Sequence, residues 1–294
     1  MRRPFRQIDV FGEEPGTGNP VAVVLEAAGL SDDDMRRFSR WTNLSECTFV
    51  LPPTTPEADY RVRIFSLDVE LPFAGHPTLG TARAWVDAGG TPATPGTVVQ
   101  ECGAGLIPVR VAGDVLAFEA PPLLRSGAVE PGLLARAIAV LGVDPAAVVA
   151  AEWLDNGPGW LGLLLDGADT VLALRPDAAR AAGDEHRGRW DLGVIGAHPD
   201  GSAEAFEVRA FFSDGVGTLV EDPVTGSLNA AAAQWMLASG RATAPYVVRQ
   251  GTALGRRGRV TISTDADGSA VWVGGRTDVV LSGTADLGGA PDVD

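Results

Sequence analysis

Three short segments of this 294-residue chain carry side chains that could move or hold a proton. In AGHPTLG (74–80), His76 sits among turn residues just ahead of a run of helix formers. Histidine has the side-chain pKa nearest neutrality, so it can donate, accept or carry a proton there. Taken alone, a loop histidine is more often structural. In EDPVTGSLNA (221–230), Glu221 and Asp222 precede a Thr-Gly-Ser turn and a second run of helix formers. Exposed backbone N–H groups at Gly226 and Ser227, with a helix dipole behind them, would hold a substrate carboxylate. An ordinary Thr or Ser N-cap with acidic neighbours accounts for the same pattern. In NLSECTFVL (43–51), Glu46 stands at a helix-to-strand junction. A carboxylate entering a buried strand is partly desolvated, which raises its pKa and suits a group that gains and loses a proton. From pattern alone, a surface glutamate at a strand start is the simpler reading. Cys47, next in the strand, points to the opposite face and reads as core.

An internal repeat ties two of these segments together. A slide of 146 residues places Val62, Arg63, Phe65 and Asp68 on Val208, Arg209, Phe211 and Asp214. It also places Pro77, Gly80 and Ala84 on Pro223, Gly226 and Ala230, with Thr81 opposite Ser227. Seven identities in this 23-residue window exceed the one or two that composition would give, and a repeat of this kind signals duplicated architecture. The same slide sets His76 against Asp222. The expectation is two similar α/β halves, each with a strand, a loop and a glycine-led helix, whose matching loops face one cleft.

The elements that must position these residues are short. Val21–Leu25 reads as a strand after the Gly18-Asn19-Pro20 turn. Ser31 caps a helix that opens on Asp32, Asp33 and Asp34, with Met35, Phe38 and Trp41 spaced for one buried face. Asn43 ends that helix, and strands follow at 47–51 and 62–65. An alanine-rich helix then runs to about Asp87 and stops at Gly89-Gly90. Further strands at 98–100, 106–111 and 115–119 close a first half near Pro121, and a helix over 131–141 opens the second. The expected domains are 1–121 and 122–284, the latter's last strand returning to the first domain, with a loose acidic tail over 285–294.

Composition removes much other chemistry. Hydrophobic residues make up 45% and the formal net charge is -15, enough apolar material for real cores and a charge that repels nucleic acid and anionic membranes. All 23 basic residues are arginine. Without lysine there is no Schiff base and no P-loop lysine. Cys47 and Cys102 are the only cysteines, which suits free thiols in a reducing cytosol. The start of the chain lacks the apolar segment of a signal peptide, and no apolar run nears the roughly 18 residues of a membrane span. A cytoplasmic protein is expected. His76, His186 and His198 are scattered, so a zinc site is not expected. Gly103-Ala104-Gly105 lacks the third glycine of a dinucleotide fingerprint, and there is no GxSxG elbow. Arg256, Arg257 and Arg259 read as a solvated turn.

As a set, DVFGEEPGTGNPVAVVL, RWTNLSECTFVLPP, RVRIFSLDVELPFAGHPTLG and EDPVTGS resemble the phenazine biosynthesis PhzF-like isomerases, from near residue 8 to about residue 283. The resemblance implies an α/β (α+β) chain with two pseudo-symmetric domains of diaminopimelate epimerase-like fold. Each would be a mixed sheet or barrel wrapped round a central helix. It implies a cofactor-free isomerase without metal, usually a homodimer, with its site between the domains. Glu46 would be the catalytic glutamate, acting with His76 and Asp222, and Gly75, Gly226 and Ser227 would bind substrate. Related epimerases use a thiol pair at the two symmetric loops. His76 and Asp222 are expected there in this chain, which disfavours two-thiol racemisation. Gly159-Trp160 follows Asn156-Gly157-Pro158, where the family often has arginine or histidine after the proline; Leu67 replaces a common proline and Cys47 a common threonine. The expected substrate is a small carboxylate, an amino acid or cyclic dienyl acid of secondary metabolism, with Glu46 shuttling a proton between two carbons. Two alternatives stand beside this: an epimerase or racemase using Glu46 and His76, and a non-catalytic small-molecule binding protein of the same fold.

Overall fold

The computed structural model describes residues 2–177, 190–213 and 218–287. The chain forms two compact units, Met1–Glu119 with Gly274–Asp294, and Ala120–Val273.

In the first unit, β1 (Arg2–Val10), β2 (Asn19–Val24), β3 (Cys47–Leu51), β4 (Tyr60–Ser66), β6 (Thr97–Cys102), β7 (Gly105–Ala112) and β8 (Val115–Glu119) are neighbours in that order. The last strand, β16 (Val271–Asp286), follows β8 and pairs back on β1, which closes an eight-stranded barrel. β5 (Val69–Leu71) forms a hairpin with β4. The expected acidic tail therefore begins as strand: Ala285 and Asp286 pair with Arg3 and Arg2, and Leu287 is buried. Residues 288–294 lie outside the described residues.

Inside the barrel runs α2 (Gly75–Asp87), which packs on β1, β2, β3, β6, β7 and β8. It is rich in glycine, alanine and threonine, and every residue from Gly75 to Ala82 is buried. A helix with strands on all sides needs no apolar stripe, only a thin profile. The other helix, α1 (Asp32–Thr42), lies on the surface and starts as expected. Ser31 and Asp34 form a reciprocal capping box, and Asn43 ends the helix at φ 55°. Met35 is buried, but Trp41 is 80% exposed. Each i, i+3 step falls about 60° short of a full turn, so two steps carry Trp41 about 120° from Met35. Met35 and Ser39, spaced i, i+4, make the buried face instead.

The second unit repeats this order. Its strands β9 (Val148–Leu154), β10 (Trp160–Leu165), β11 (Asp191–Ala197), β12 (Phe206–Ser213), β14 (Tyr246–Gln250) and β15 (Gly258–Thr264) are neighbours in sequence, ending on β16. Parallel pairs occur at matching places, β2–β3 and β4–β6 against β10–β11 and β12–β14. The buried central helix here is α5 (Gly226–Ala238). Outside the sheet, α3 (Pro131–Leu141) and α4 (Ala168–Ala173) bury Ala137, Leu141 and Val171 with Leu161, Leu163, Leu192 and Val194. β13 (Leu219–Asp222) pairs with β12 as β5 does with β4.

This hairpin corrects the uniform 146-residue slide. Arg63 on β4 grips Glu70 on β5 through two N–H···O bonds of 2.7 and 2.6 Å and lies over Phe65. Arg209 on β12 grips Glu221 on β13 in the same way, at 3.0 and 2.7 Å, and lies over Phe211. The arginines are 146 residues apart but the glutamates are 151 apart, because the second hairpin is five residues longer. The offset stays at 151 for the thirteen-residue helices that begin at Gly75 and Gly226. Asp222 therefore matches Leu71, and His76 matches Ser227. The matches at Pro77, Gly80 and Ala84 have no structural counterpart, and Asp214 lies outside the described residues.

Gly80 is where the central helix of the first unit comes closest to the barrel wall: a Cβ there would stand 2.3 Å from Val21 Cγ1. We expect Gly80→Val to overpack this contact and lower stability by about 1–3 kcal/mol, read as a lower urea midpoint. An unchanged midpoint would contradict the close approach.

Candidate active site

Glu46 and His76 are brought together in the first unit. His76 Nε2 lies 3.3 Å from Glu46 Oε2, and their side chains are 5% and 16% exposed. The arrangement starts at Asp9 on β1, whose carboxylate accepts N–H bonds from Gly16 (2.9 Å), Thr17 (3.1 Å) and Gly18 (2.9 Å). These bonds fold the loop back on itself so tightly that a Cβ at Gly18 would stand 2.2 Å from the Val10 carbonyl oxygen. The loop delivers Asn19, fully buried, as the first residue of β2, and its Nδ2 donates to His76 Nδ1 at 3.3 Å. Burial pushes the His76 pKa down to about 3, so the ring is neutral at ordinary pH.

Cys47 turns away from Glu46, as alternation along a strand requires. It packs with Met35, Phe49 and Phe65, and burial pushes its thiol up to about 11. Near His76, the Thr81 hydroxyl donates to Pro77 O and accepts from the Thr48 hydroxyl, while Tyr60 and Gln100 form a buried chain to Thr78. These bonds meet the hydrogen-bond needs of polar groups at the core of the barrel. No side chain caps the first turn of α2, where Gly75 follows the N-cap Ala74.

The second unit holds Asp222, Gly226 and Ser227 around the start of α5. Thr225 occupies the N-cap position, yet its side chain does not cap the helix. Its hydroxyl donates to Asp222 Oδ2 at 2.5 Å and accepts from Gln250 Nε2 at 2.9 Å. Gln250 Oε1 accepts from the Thr225 N–H and from Asn229 Nδ2, at 3.1 and 2.8 Å. Ser227 Oγ accepts the indole N–H of Trp160 at 3.0 Å, and its carbonyl accepts from Asn156 Nδ2 at 2.9 Å. Gly226 and Ser227 are buried, where exposure was expected. The ordinary Thr cap is also ruled out, because Asp222 takes the hydroxyl.

The residues singled out in the sequence fall in two clusters, Glu46 with His76 in the first unit and Asp222 with Ser227 in the second, and sequence reasoning missed the neutral residues that contact them. Asn19 was visible only as part of a turn, and Trp160 only as a departure without a role. Gln250, Asn229 and Asp9 gave no signal, since isolated amides and a lone carboxylate have no diagnostic spacing. Elsewhere, His198 Nε2 lies 3.2 Å from the buried Glu207, and Arg259 pairs with Glu204 on β15's side of the expected basic turn. His186 lies outside the described residues.

A family model described as phenazine biosynthesis-like protein, PhzC-PhzF, matches residues 8–284. The trans-2,3-dihydro-3-hydroxyanthranilate isomerase of Pseudomonas aeruginosa is 33% identical over 292 residues, covering 95% of this chain and 98% of that one. Antisense-enhancing sequence 1 of Schizosaccharomyces pombe is 34% identical over 291 residues, covering 95% and 97%. A crystal structure of a PhzF-family protein from Enterococcus faecalis shares the fold, with a TM-score of 0.76 at 24% identity over 97% of this chain and 100% of that one.

The neutral burial of His76 has a consequence for stability. An unfolded histidine takes up a proton below about pH 6.5, whereas folded His76 does so only near pH 3. Between these values the unfolded chain binds more protons, so the stability present above pH 6.5 is lost as the pH falls. The loss is up to about 1.4 kcal/mol per pH unit. Urea unfolding at pH 7 and pH 5 is expected to show a smaller loss on acidification for His76→Gln than for the parent protein. Equal losses would contradict neutral burial.

Proposed function

We propose, from the premise that this chain belongs to the phenazine biosynthesis-like family and is an isomerase, that it moves a proton and a double bond within a small carboxylate. The observation that carries the reading is the approach of half-buried Glu46 to buried His76 at 3.3 Å. Glu46 as carboxylate takes a proton from one carbon, and the released C–H electron pair becomes the new C=C bond. The electrons of the old double bond then take the same proton back from Glu46 at a second carbon. One group does both tasks, so no cofactor or metal enters the step. His76 orients Glu46. Its low pKa makes it a poor second base, which favours isomerisation over two-base epimerisation.

The remaining expected residues take binding roles. The first turn of α5, at Gly226 and Ser227, receives the substrate carboxylate through backbone N–H groups with the helix dipole behind them. Gly75 does the same at the start of α2. Asp222, steadied by Thr225, accepts from an amine or hydroxyl on the substrate. Cyclic dienyl acids and amino acids of secondary metabolism fit this set of groups. The substrate in the name of the P. aeruginosa relative, trans-2,3-dihydro-3-hydroxyanthranilate, combines a ring diene, a carboxylate, an amine and a hydroxyl, which makes it the first compound to test. The reading includes a homodimer, as the family likeness implies, and a cytoplasmic setting, as the two free thiols suggest.

Glu46→Gln keeps size and hydrogen bonding but cannot cycle a proton. Turnover of trans-2,3-dihydro-3-hydroxyanthranilate, followed by loss of its diene absorbance, is expected to fall by roughly 10²–10⁴-fold while binding measured by calorimetry survives. Near-normal turnover in Glu46→Gln would contradict the proton-carrier assignment.

A further inference from the structure

The two halves share a device at the start of their central helices. β2 and β10 are equivalent strands: each pairs antiparallel with the strand before it and parallel with the next. The first residue of β2 is Asn19 and the first residue of β10 is Trp160. Each presents an N–H to the second residue of the central helix, Asn19 to His76 Nδ1 and Trp160 to Ser227 Oγ. An amide nitrogen and an indole nitrogen are donors only. The atom that receives the bond must accept, and the proton of the receiving side chain must point elsewhere.

For His76 the consequence is specific. A neutral imidazole carries one N–H and one acceptor nitrogen. With Nδ1 accepting from Asn19, the proton belongs on Nε2, the nitrogen 3.3 Å from Glu46 Oε2. Asn19 is itself fixed by the loop that Asp9 folds through three backbone N–H groups. Among the strands packed on α2, Glu46 ahead of β3 faces the ring, while Asp9 on β1 is turned to that loop.

We propose that Asn19 is a positioning residue that sets the tautomer of His76, so that the ring turns an Nε2–H towards Glu46, 3.3 Å away, rather than serving as an acid or base. The proposal rests on the reading of Glu46 as the proton carrier for its catalytic meaning. An Nε2–H set beside one carboxylate oxygen leaves the other oxygen to carry the transferred proton to and from the substrate. It also supports the carboxylate form that must exist before each turnover.

The test is the two-bond proton–nitrogen NMR correlation of His76 in the full chain labelled with ¹⁵N-histidine, assigned by the signals that vanish in His76→Gln. Between about pH 5.5 and 8, where an ordinary histidine titrates, the expected pattern is a constant neutral ring with the proton on Nε2. A proton on Nδ1, or an imidazolium in that range, overturns the proposal. Asn19→Asp places an anionic acceptor at Nδ1. The proton is then expected to move to Nδ1, the ring to titrate within the range, and a new ionisation to enter the kcat–pH profile with kcat at least tenfold lower. Asn19→Ala, which removes the donor without adding charge, is expected to give mixed tautomers. Retention of the Nε2–H form alone in these variants overturns the role of Asn19. Failure of the shuttle reading shows differently, as full turnover in Glu46→Gln with the His76 spectrum unchanged.

Discussion

Each half of this protein threads a helix through surrounding strands, and the first turn of a buried helix leaves backbone N–H groups that must find acceptors. Neither central helix solves this with a side-chain cap. Ala74 has no oxygen to offer, and Thr225 has given its hydroxyl to Asp222. That constraint organises what surrounds the helix starts. Polar side chains gather there because an apolar wall would strand the N–H groups, and the gathered side chains must satisfy one another in turn. Asn19, His76 and Glu46 form one such cluster, and Trp160, Ser227, Asn156, Thr225, Gln250 and Asp222 form the other. A substrate carboxylate is a natural completion of an uncapped helix start.

The same constraint bears on the proposal that a carboxylate carries the proton. Two-thiol chemistry needs reactive thiols at the two helix starts, and this chain places Ala74 and Thr225 there. Cys47 is close to Glu46 in sequence but faces the packed core, where burial keeps it protonated. Burial likewise keeps His76 from taking a proton. Glu46 is the group in the first cluster that pairs a titratable oxygen with partial exposure.

Much of the scaffold was legible in the sequence because local rules govern it. Ser31 with Asp34, and the left-handed Asn43, mark α1 through bonds that span a few residues. The strand starting at Cys47 and the helix over 131–141 follow from residue type and period. Trp41 failed because i, i+3 spacing drifts round a helix, and sequence pattern does not say how wide the buried stripe is. The repeat was visible through Val62, Arg63 and Phe65. Its continuation was misread because a hairpin can lengthen by five residues without disturbing the strands it joins, and an ungapped slide cannot register that. The ion pairs Arg63–Glu70 and Arg209–Glu221 restore the true correspondence. At the candidate site, His76 and Asp222 drew notice by residue type, while Glu46 was singled out by the family resemblance. Asn19, Trp160 and Gln250 were missed, because a neutral donor becomes meaningful only when folding brings it to an acceptor 57, 67 or 25 residues away.

The central claim is that a single side chain carries the proton from one carbon to the other. It is tested most directly with trans-2,3-dihydro-3-hydroxyanthranilate deuterated at the carbon that loses its proton, converted in ordinary water and analysed by mass spectrometry and NMR after less than one turnover. A carboxylate as sheltered as Glu46 should deliver part of the deuterium to the accepting carbon of the product before it exchanges with solvent. A product that never carries deuterium at that carbon, whatever the reaction time, would mean that separate groups remove and return the proton, and would contradict the account.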